Sequence, residues 1–522
     1  MESKLLTKKY FLYATEFFAG MSVMAVELGA SRLMAPYFSS SQIVWTVIIG
    51  VIMIAMAIGN VWGGRSADKF RNPGKLYGRI LIAAIWIALI PFVGRYLIAG
   101  ISLLLAAFVN HNFLVWAALV TCLVIFAFPC VLLGTVTPSL VKYTMHSLDN
   151  NGKTMGELGA LNTIGSIIGT FLPTFVTIPA VGTAATFLIF SGVLGVIGIL
   201  YFISVKQKRI LCGVLAALLV VLGCLTPRFS FAFWEKEQLT LEDESIYNYL
   251  QVRDTSERTI LSTNVLFGVQ SIKMKQEGLT GLYYDYALAA PVMAGMNEKE
   301  DSQVMILGLG SGTFADYCSE YFPGAAIQGA EIDEKIVNIA RDYFQLPETV
   351  DVAVEDGRAY LHASEEQFDV IMVDAYQDIT IPFQMSSIEF FTEVSNHLKE
   401  DGVMVVNMNM KSQAEDSIND YLCDTIDAVF EYVYRVPVEG STNMEVYATN
   451  SHTLPEDFET HLQALEPGEL KDMMEVVSEN MTEYQGEDRI LTDDKAPVEL
   501  LGMKVLDEII QDELDYYRDL YL

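Results

Sequence analysis

The sequence predicts an α-helical membrane bundle followed by an α/β domain whose sheet is doubly wound and mostly parallel, with a small β-lid on its N-terminal side. Three observations lead to this fold class. Long apolar segments fill residues 1–226, acidic residues accumulate after residue 226, and short apolar runs alternate with helical patterns from residue 301 onward. Such alternation is typical of parallel sheets with right-handed crossovers.

The charge distribution separates the two parts. Residues 1–226 contain 15 Lys and Arg and 6 Asp and Glu, a net charge of +9, whereas residues 227–522 contain 18 and 59, a net charge of −41. An acidic surface of this size would repel phosphates, so we expect no nucleic acid among the partners. The six cysteines and six histidines lack the spacing of zinc sites or disulfide frameworks, so no metal is predicted.

Apolar segments long enough to cross a membrane, which takes about 20 residues, recur through the first part. They are Tyr10–Leu33, Ile43–Trp62, Tyr77–Val93, Phe113–Leu133, Met155–Val181, Thr183–Ile203 and Ile210–Leu225. The run Tyr96–Val109 is shorter, and we expect a re-entrant or interfacial helix there. Residues 1–226 are therefore predicted to be a transmembrane bundle of about seven spans, with the lipid bilayer as a partner.

Charged residues lie inside the first predicted span. Glu16, Glu27 and Arg32 are costly in a membrane interior unless they face a cavity or an opposite charge. Two interpretations stay open at this point. The first is a polar pocket for a charged small molecule, and the second is a structural ion pair between Glu27 and Arg32.

The second part is divided by its composition into three regions. Residues 227–300 are predicted to form the β-lid and the beginning of the soluble domain, residues 301–453 a nucleotide-binding core, and residues 454–522 an acidic helical C-terminal region. The strands predicted for the core are 304–308, 325–330, 351–355, 369–373 and 403–409. Helices are predicted between them.

The stretch Val304–Asp378 contains the features that predict a ligand site. The apolar run VMILG leads into the glycine loop GLGSG, and Glu331, Asp356 and Asp374 each follow another apolar run. Because ligands bind outside the carboxyl ends of the strands in doubly wound sheets, we expect these acids above one crevice. The alternative is that they are solvated loop residues.

Several segments of the second part resemble the spermidine synthase family of polyamine aminopropyltransferases, and the whole chain resembles its membrane-fused form. These segments are, in order, SIYNYLQV, LFGVQS, LYYDYALAAP, ILGLGSG, AEID, VEDGRAYL and FDVIMVDAYQD. The resemblance implies a Rossmann-like fold of the methyltransferase type. It also implies a donor substrate, S-adenosylmethionine or decarboxylated S-adenosylmethionine, and no metal.

The resemblance further implies roles for individual residues. Glu331 would bind the ribose hydroxyls of the donor, and Asp356 with Gly357 would hold its adenine. The remaining donor-binding residues would be Asn248, Gly308, Gly310, Ser311 and Gly312. The catalytic residues would be Asp374 as general base, Asp378 and Tyr283, and the acceptor would contact Tyr284 and Asp285.

The chain departs from the family pattern at the donor and acceptor positions. Ser311 stands where polyamine synthases that use the decarboxylated donor usually carry an acid, and the Pro- and Gly-rich acceptor segment is replaced by VPVEGSTNMEVYAT. We therefore expect S-adenosylmethionine itself as the donor. Attack of its own carboxylate or amine on the γ-carbon would cyclise the side chain and release methylthioadenosine without an external acceptor.

The predicted function is a membrane-bound enzyme that transfers an alkyl group from the γ-carbon of a sulfonium nucleoside and releases methylthioadenosine. The alternatives are conventional aminopropyl transfer to a polyamine, a methyltransferase, and a nucleoside-binding transporter or sensor. A small-molecule substrate is expected, and a homodimer is considered. Donor supply favours a cytoplasmic catalytic domain on a multi-pass protein of the inner or plasma membrane, whereas seven spans that start inside would place it outside.

Overall fold

A computed structural model describes most of the chain, which folds into two compact units. The described residues are 9–38, 40–69, 72–109, 111–144, 151–207, 209–226, 239–264, 269–375, 381–409, 416–452 and 454–521. The helical unit comprises Met1–Glu237, Glu242–Leu250 and Asn264–Leu266. The α/β unit comprises Gln238–Leu241, Gln251–Thr263 and Phe267–Leu522.

The helical unit is built from apolar helices. Its α-helices are α1 (Lys9–Phe38), α2 (Gln42–Lys69), α3 (Pro73–Ala106), α4 (Phe113–Ile125), α5 (Ala127–Gly134), α6 (Val136–Thr144), α7 (Asn151–Leu172), α8 (Ile178–Ser204) and α9 (Arg209–Leu225). A π-helical turn, Pro173–Thr177, joins α7 to α8, and Gly182 interrupts α8 with a φ of 81°.

Four helices of the described chain are long and apolar enough to cross a membrane. They are Lys9–Phe38, Gln42–Lys69, Pro73–Ala106 and Gly152–Ser204, and the bent pair Phe113–Ile125 and Ala127–Thr144 would be a fifth. Gly152–Ser204 has 53 residues, more than twice the length that one span of about 20 residues needs, and it contains both of the predicted spans Met155–Val181 and Thr183–Ile203. The number of spans therefore stays a prediction.

Helix α3 changes one expectation about the bundle. It runs without a break from Pro73 to Ala106, and so it contains both the predicted span Tyr77–Val93 and most of the run Tyr96–Val109. Asn72 begins the helix by accepting a hydrogen bond from the Gly74 amide at 2.9 Å. The predicted separate re-entrant or interfacial helix is therefore wrong, and that run is the end of one long helix.

Glycines allow α1 and α7 to pack backbone against backbone. A Cβ atom added to Gly165 would overlap the carbonyl oxygen of Phe17, and one added to Gly169 would overlap that of Met21. Small residues at such contacts are the usual means by which apolar helices approach closely, since lipid supplies no hydrophobic force between them. Gly165 and Gly169 thus mark a close contact between α1 and α7.

Glu16 of α1 is held inside the helical unit by polar neighbours. Its carboxyl oxygen Oε1 accepts hydrogen bonds from Thr137 Oγ1 at 2.5 Å and Asn162 Nδ2 at 2.9 Å, and the side chain is completely buried. Glu27 is only partly buried, and Arg32 donates to the backbone carbonyl of Ile246. Glu16 therefore links α1 to α6 and α7.

The α/β unit contains a large sheet whose central part is parallel. The strands of the large sheet are β5 (Ser302–Leu307), β6 (Ala325–Ala330), β7 (Asp351–Ala353), β8 (Phe368–Val373), β9 (Leu398–Met408), β10 (Tyr432–Pro437), β11 (Met444–Thr449) and β12 (Thr482–Glu483). A smaller sheet precedes them in the chain and consists of β1 (Leu241–Glu244), β2 (Tyr249–Asp254), β3 (Arg258–Thr263) and β4 (Ser271–Met274). The large sheet has the order β12-β10-β11-β9-β8-β5-β6-β7, and the small sheet β1-β2-β3-β4.

The predicted fold class is confirmed. Strands β5 to β9 pair in parallel, while β10 and β11 extend the sheet in antiparallel fashion. Both faces of β5 are buried, because Val304 and Ile306 pack in one core and Met305 and Leu307 in another. Burial on both faces explains why this strand reads as an uninterrupted apolar run. The chain order reverses at β5, between β6 and β8, which is where such sheets bind ligands.

The helices of the α/β unit connect and flank these strands. They are α10 (Tyr283–Ala287), α11 (Ala289–Met293), α12 (Thr313–Tyr321), α13 (Glu334–Tyr343), α14 (Gly357–Ala363), α15 (Ile388–His397), α16 (Ile418–Asp427), α17 (Leu454–Ala464), α18 (Glu469–Asn480) and α19 (Val498–Tyr521). The domain boundaries chosen from the sequence, at residues 226, 300 and 453, remain predictions.

A substitution at Gly169 tests the close packing of α1 on α7. We expect Gly169→Ala to destabilise the protein by about 1–3 kcal/mol, because the new methyl group would overlap backbone that cannot rotate away. The measurement is thermal unfolding of the full chain in detergent. Gly159→Ala, at a position of α7 with no atom within 4 Å, is the matched control and should not lower the stability. Equal effects at both positions would contradict the packing.

Candidate active site

The glycine loop between β5 and α12 adopts a conformation that requires glycine. The φ angles of Gly308, Gly310 and Gly312 are 90°, 55° and 77°, a region that residues with side chains rarely occupy. A Cβ atom on Gly308 would lie 2.6 Å from the Cα atom of Ala375, and one on Gly312 would overlap the side chain of Leu346. The loop therefore lies directly against the end of β8.

Glu331, which follows β6, is bonded to this loop. Its Oε2 accepts a hydrogen bond from the Gly310 amide at 3.0 Å, and its Oε1 accepts one from the Asp333 amide at 3.1 Å. The side chain is buried, and burial raises the pKa of this carboxyl to about 7. The structure thus places Glu331 at the glycine loop, and its role in binding a ribose stays a prediction.

The Ser311 side chain contacts a neighbouring hydroxyl group at the start of α12. Its hydroxyl oxygen lies 2.9 Å from that of Thr313, and the side chain is buried. This position of the loop therefore carries a hydroxyl group and no carboxylate.

Asp374 follows β8 and faces two hydrogen-bond donors. Its Oδ2 accepts from the Tyr283 hydroxyl at 2.7 Å and its Oδ1 from Asn407 Nδ2 at 2.9 Å. The Asp374 amide donates to the carbonyl of Leu307 at 3.0 Å, which ties this residue to the end of β5. Burial raises the pKa of Asp374 to about 7, and the two hydrogen bonds only partly oppose that shift. The group is therefore a carboxyl that can exchange a proton near neutral pH.

Tyr283 and Tyr284 form an aromatic pair in α10, with ring planes tilted by 35°. Their ring centroids are 3.9 Å apart. Burial, followed by the nearby charge of Asp374, raises the pKa of Tyr283 well above its usual range, so the phenol remains a hydrogen-bond donor. An aromatic pair beside a carboxylate is a suitable environment for an organic cation.

Two predicted site residues make mainly local contacts. Asp285 is completely buried, and its Oδ2 accepts hydrogen bonds from the amides of Thr280 and Gly281, which closes the loop before α10. Asp356 begins α14 by accepting from the Ala359 amide at 2.9 Å. A Cβ atom at Gly357 would meet neighbours only at 3.5 Å or more, so packing does not require glycine there.

The predicted site roles of two further residues, Asn248 and Asp378, remain predictions. Asn248 lies in the helical unit, where its side-chain oxygen accepts a hydrogen bond from Asn264 Nδ2 at 2.7 Å. Asp378 lies outside the described residues. The residues that the structure does bring together are Gly308, Gly310, Ser311, Gly312, Glu331, Asp374, Tyr283 and Tyr284.

Two polar residues of the neighbouring strands were missed by the sequence reasoning. Asn407 of β9 bonds Asp374, and Glu445 of β11 is paired with Asn407 in register. The available signal was a polar residue inside the apolar run VMVVNM. Among the described residues, no group of three or more His, Cys, Asp or Glu side chains is arranged to hold a metal ion.

The raised pKa of Asp374 predicts a pH-dependent effect of Asp374→Asn on stability. Because the folded-state pKa of about 7 exceeds the ordinary value of 3.8, the protonated carboxyl stabilises the fold fully below pH 3.8, and this contribution is lost as the pH rises through 7. Asp374→Asn should therefore stabilise the protein at pH 8 relative to wild type, by about 2 kcal/mol after allowance for solvent screening.

Thermal unfolding of both proteins at pH 5 and pH 8 measures this effect. The stability difference should be larger at pH 8. Asp342→Asn, which alters an exposed carboxyl of α13, supplies the baseline. A difference between wild type and Asp374→Asn that does not change with pH would contradict the assignment.

The family model and the relatives that match this chain describe the same kind of protein. Residues 286–460 match the family model described as spermine/spermidine synthase domain. A probable polyamine aminopropyl transferase of Bifidobacterium longum is 49% identical over 339 residues, which cover 62% of this chain and 75% of that protein. A polyamine aminopropyltransferase of Vibrio vulnificus is 25% identical over 276 residues, which cover 50% of this chain and 90% of the relative.

Two solved structures are among the proteins that match part of this chain. A probable spermidine synthase from Corynebacterium glutamicum has a TM-score of 0.36 and 18% identity, over 48% of this chain and 98% of that one. A spermidine synthase in complex with the transition-state analogue AdoDATO has a TM-score of 0.39 and 17% identity, over 47% of this chain and 84% of that one.

Proposed function

The chain belongs to the family of polyamine aminopropyltransferases, and from this premise we propose that it transfers the alkyl chain of a sulfonium nucleoside to an amine and releases methylthioadenosine. The observation that carries the proposal is the Asp374 carboxyl, held between Tyr283 and Asn407 at the edge of the glycine loop. A base in this position can receive the proton that an attacking amine loses.

The chemistry needs a positioned amine and a nearby base. The lone pair of the amine nitrogen forms a bond to the γ-carbon, and the bond from that carbon to sulfur breaks with its electron pair going to sulfur. The sulfonium thereby becomes the neutral thioether of methylthioadenosine, and the proton of the amine passes to Asp374. Tyr283 and Asn407 hold the carboxylate in place, because each occupies one of its oxygens.

The donor would lie along the glycine loop. The backbone of Gly308 to Gly312 offers close approach, and Glu331, bonded to Gly310, is placed to accept from the ribose hydroxyls. Asp356 and Gly357, at the start of α14, would contact the adenine. The negative charge of Asp374 would also attract the sulfonium centre.

A second reaction is favoured by one specific observation, the absence of an acid at Ser311. Without that acid the loop does not repel the carboxylate of S-adenosylmethionine, so the undecarboxylated donor is admissible. With that donor and no acceptor, its own carboxylate or amine would attack the γ-carbon and give a cyclic product with methylthioadenosine. Methyl transfer, by contrast, would yield S-adenosylhomocysteine, and a transporter or sensor would bind nucleoside without turnover.

Methylthioadenosine release from the full-length protein tests these alternatives. We expect release with decarboxylated S-adenosylmethionine and putrescine together, and release from S-adenosylmethionine alone only if the cyclisation occurs. Asp374→Asn should lower the rate by about 100- to 10,000-fold, the usual contribution of a general base, while donor binding persists. Asp342→Asn is the control. Formation of S-adenosylhomocysteine, or unchanged turnover in Asp374→Asn, would refute the assignment.

We also propose that the helical unit anchors the protein in a membrane. Support comes from four helices of sufficient length and apolarity, and from many large apolar side chains on the exterior of the unit, such as Met53, Ile54 and Leu103. Because the donor is a cytosolic nucleoside, the α/β unit would lie on the cytoplasmic side of the inner or plasma membrane.

Labelling at one exposed serine tests this orientation. Ser256 lies on the surface of the α/β unit, so Ser256→Cys in a variant without the six native cysteines offers one reactive thiol. A membrane-impermeant maleimide should label it only after the cells are permeabilised. Labelling of intact cells would place the α/β unit outside.

A further inference from the structure

Glu16 of α1 has one carboxyl oxygen that the fold of the helical unit leaves without a partner. Its Oε1 accepts the hydrogen bonds of Thr137 and Asn162, whereas its Oε2 is buried and meets no donor among the described residues. Buried polar groups in proteins are nearly always hydrogen-bonded, because removing them from water without a partner is costly. Oε2 therefore calls for a ligand that the described part of the chain does not supply.

No opposite charge compensates this carboxyl within the described residues. Charged groups of the helices that pack on α1 contact one another or lie exposed at helix ends. They are Glu157 with Lys9 and Lys153, Asp68 with Lys142, Arg79 with the Ser66 hydroxyl, Arg95 with the Tyr96 hydroxyl, and the exposed Arg65, Lys69 and Lys75. Glu27 and Arg32 lie about three turns or more further along α1.

The uncharged titratable groups of the neighbouring helices also have contacts of their own. The Tyr77 hydroxyl of α3 lies 3.2 Å from that of Thr15, and its ring stacks on Tyr201 of α8. The Cys122 thiol of α4 contacts the sulfur of Met34. Thr137 and Asn162, both uncharged, are therefore the two described groups that hydrogen-bond the Glu16 side chain.

Glu16 lies where three helices meet, and one of them is broken. Thr137 is the second residue of α6, which a turn at Thr135 separates from α5. Asn162 of α7 is close to α1, since a Cβ atom added to Gly20, one turn after Glu16, would lie 2.6 Å from the Asn162 carbonyl oxygen. Broken helices supply the polar groups of coupling-ion sites in membrane transporters.

A proton is the ligand that matches this geometry. A proton on Oε2 removes the charge from an apolar interior and needs no additional space. When the proton leaves, the hydrogen bonds of Thr137 and Asn162 remain to stabilise the carboxylate. Each form of the carboxyl is thus compensated in its own way, which allows it both to bind and to release a proton.

We propose that Glu16 is a proton-exchange site of the helical unit, positioned by Thr137 and Asn162. Carboxyl groups inside membrane bundles usually face ion or proton pathways. The inference concerns the helical unit alone and does not depend on the reaction proposed for Asp374. It gives this unit a role beyond anchoring the protein.

The same contact between α1 and α7 carries further polar groups toward the start of α1. Tyr13, three residues before Glu16, donates its hydroxyl proton to Glu157 of α7. Glu157 also accepts from Lys9 at 2.8 Å, and both of these charged side chains are partly exposed. A proton that leaves Glu16 would therefore find titratable groups along the interface on the way to the helix end.

Infrared spectroscopy measures the proton on Glu16 directly. Spectra of the full-length protein in detergent are recorded from pH 5 to pH 9 for the wild type and Glu16→Gln. We expect the wild type to show a carbonyl band of a protonated carboxyl that Glu16→Gln lacks. This band should lose intensity as the pH rises and should shift when the solvent is exchanged for heavy water. Glu27→Gln, the same change elsewhere on α1, is the matched control and should retain the band.

Two variants that keep Glu16 test the role of its donors. Thr137→Val and Asn162→Leu each remove one hydrogen bond that stabilises the carboxylate. Each should therefore bind the proton about 10-fold more tightly, so that the band is lost about one pH unit higher. These variants keep the test decisive if Glu16→Gln folds poorly. A merely structural role of the two donors would change the melting temperature without moving the titration.

Three results would overturn the assignment. The first is a Glu16 band, or its absence, that does not change between pH 5 and pH 9. The second is an unchanged titration in both Thr137→Val and Asn162→Leu. The third is loss of the band on addition of sodium chloride at constant pH, which would assign Oε2 to a metal cation. Methylthioadenosine release is measured separately, and its failure would refute the proposed function without affecting the assignment of Glu16.

Discussion

The contact between Gly308 and the backbone of Ala375 determines the geometry of the candidate active site. Strands β5 and β8 pair in parallel as far as Leu307 and Val373, and the chain leaves both strands at the same level. Any side chain at position 308 would lie within 2.6 Å of Ala375 and would force the two strand ends apart. The glycine loop and the Asp374 carboxyl are therefore adjacent because of one backbone contact, and the hydrogen bonds of Tyr283 and Asn407 refine a position already set by the sheet.

The sequence pattern was sufficient to predict the central strands β5, β6 and β8, because most of their residues are buried or half-buried. The predicted strand 325–330 coincides with β6, and the predicted strand 304–308 differs from β5 by two residues at its start and one at its end. Strand β9 was predicted from residue 403 but begins at Leu398, since the polar sequence KEDG interrupts the apolar run while the backbone continues as a strand. The short helices α10 and α11 have too few residues for a helical period to be recognised.

The position of a site residue could be predicted from the sequence where that residue directly follows a strand end. The hydrogen bonds that a residue makes could not be predicted in this way. Glu331 and Asp374 lie at the carboxyl ends of β6 and β8, as the fold requires. Asp285 was assigned to the acceptor on the family resemblance, but its carboxylate closes a local loop, which depends on backbone geometry that no spacing reveals. Glu445 was hidden for another reason, because its significance comes from β11 pairing beside β9, a contact between segments nearly 40 residues apart.

The two hydrogen bonds to Asp374 also have a stereochemical consequence. A carboxylate offers roughly two lone pairs on each oxygen, and Tyr283 takes one on Oδ2 while Asn407 takes one on Oδ1. Only the remaining lone pairs can receive a proton, so the direction from which a nitrogen approaches is restricted before any substrate arrives. The protein thus limits the approach to the two lone pairs that remain, one on each oxygen, and neither blocking residue needs to touch the reacting carbon.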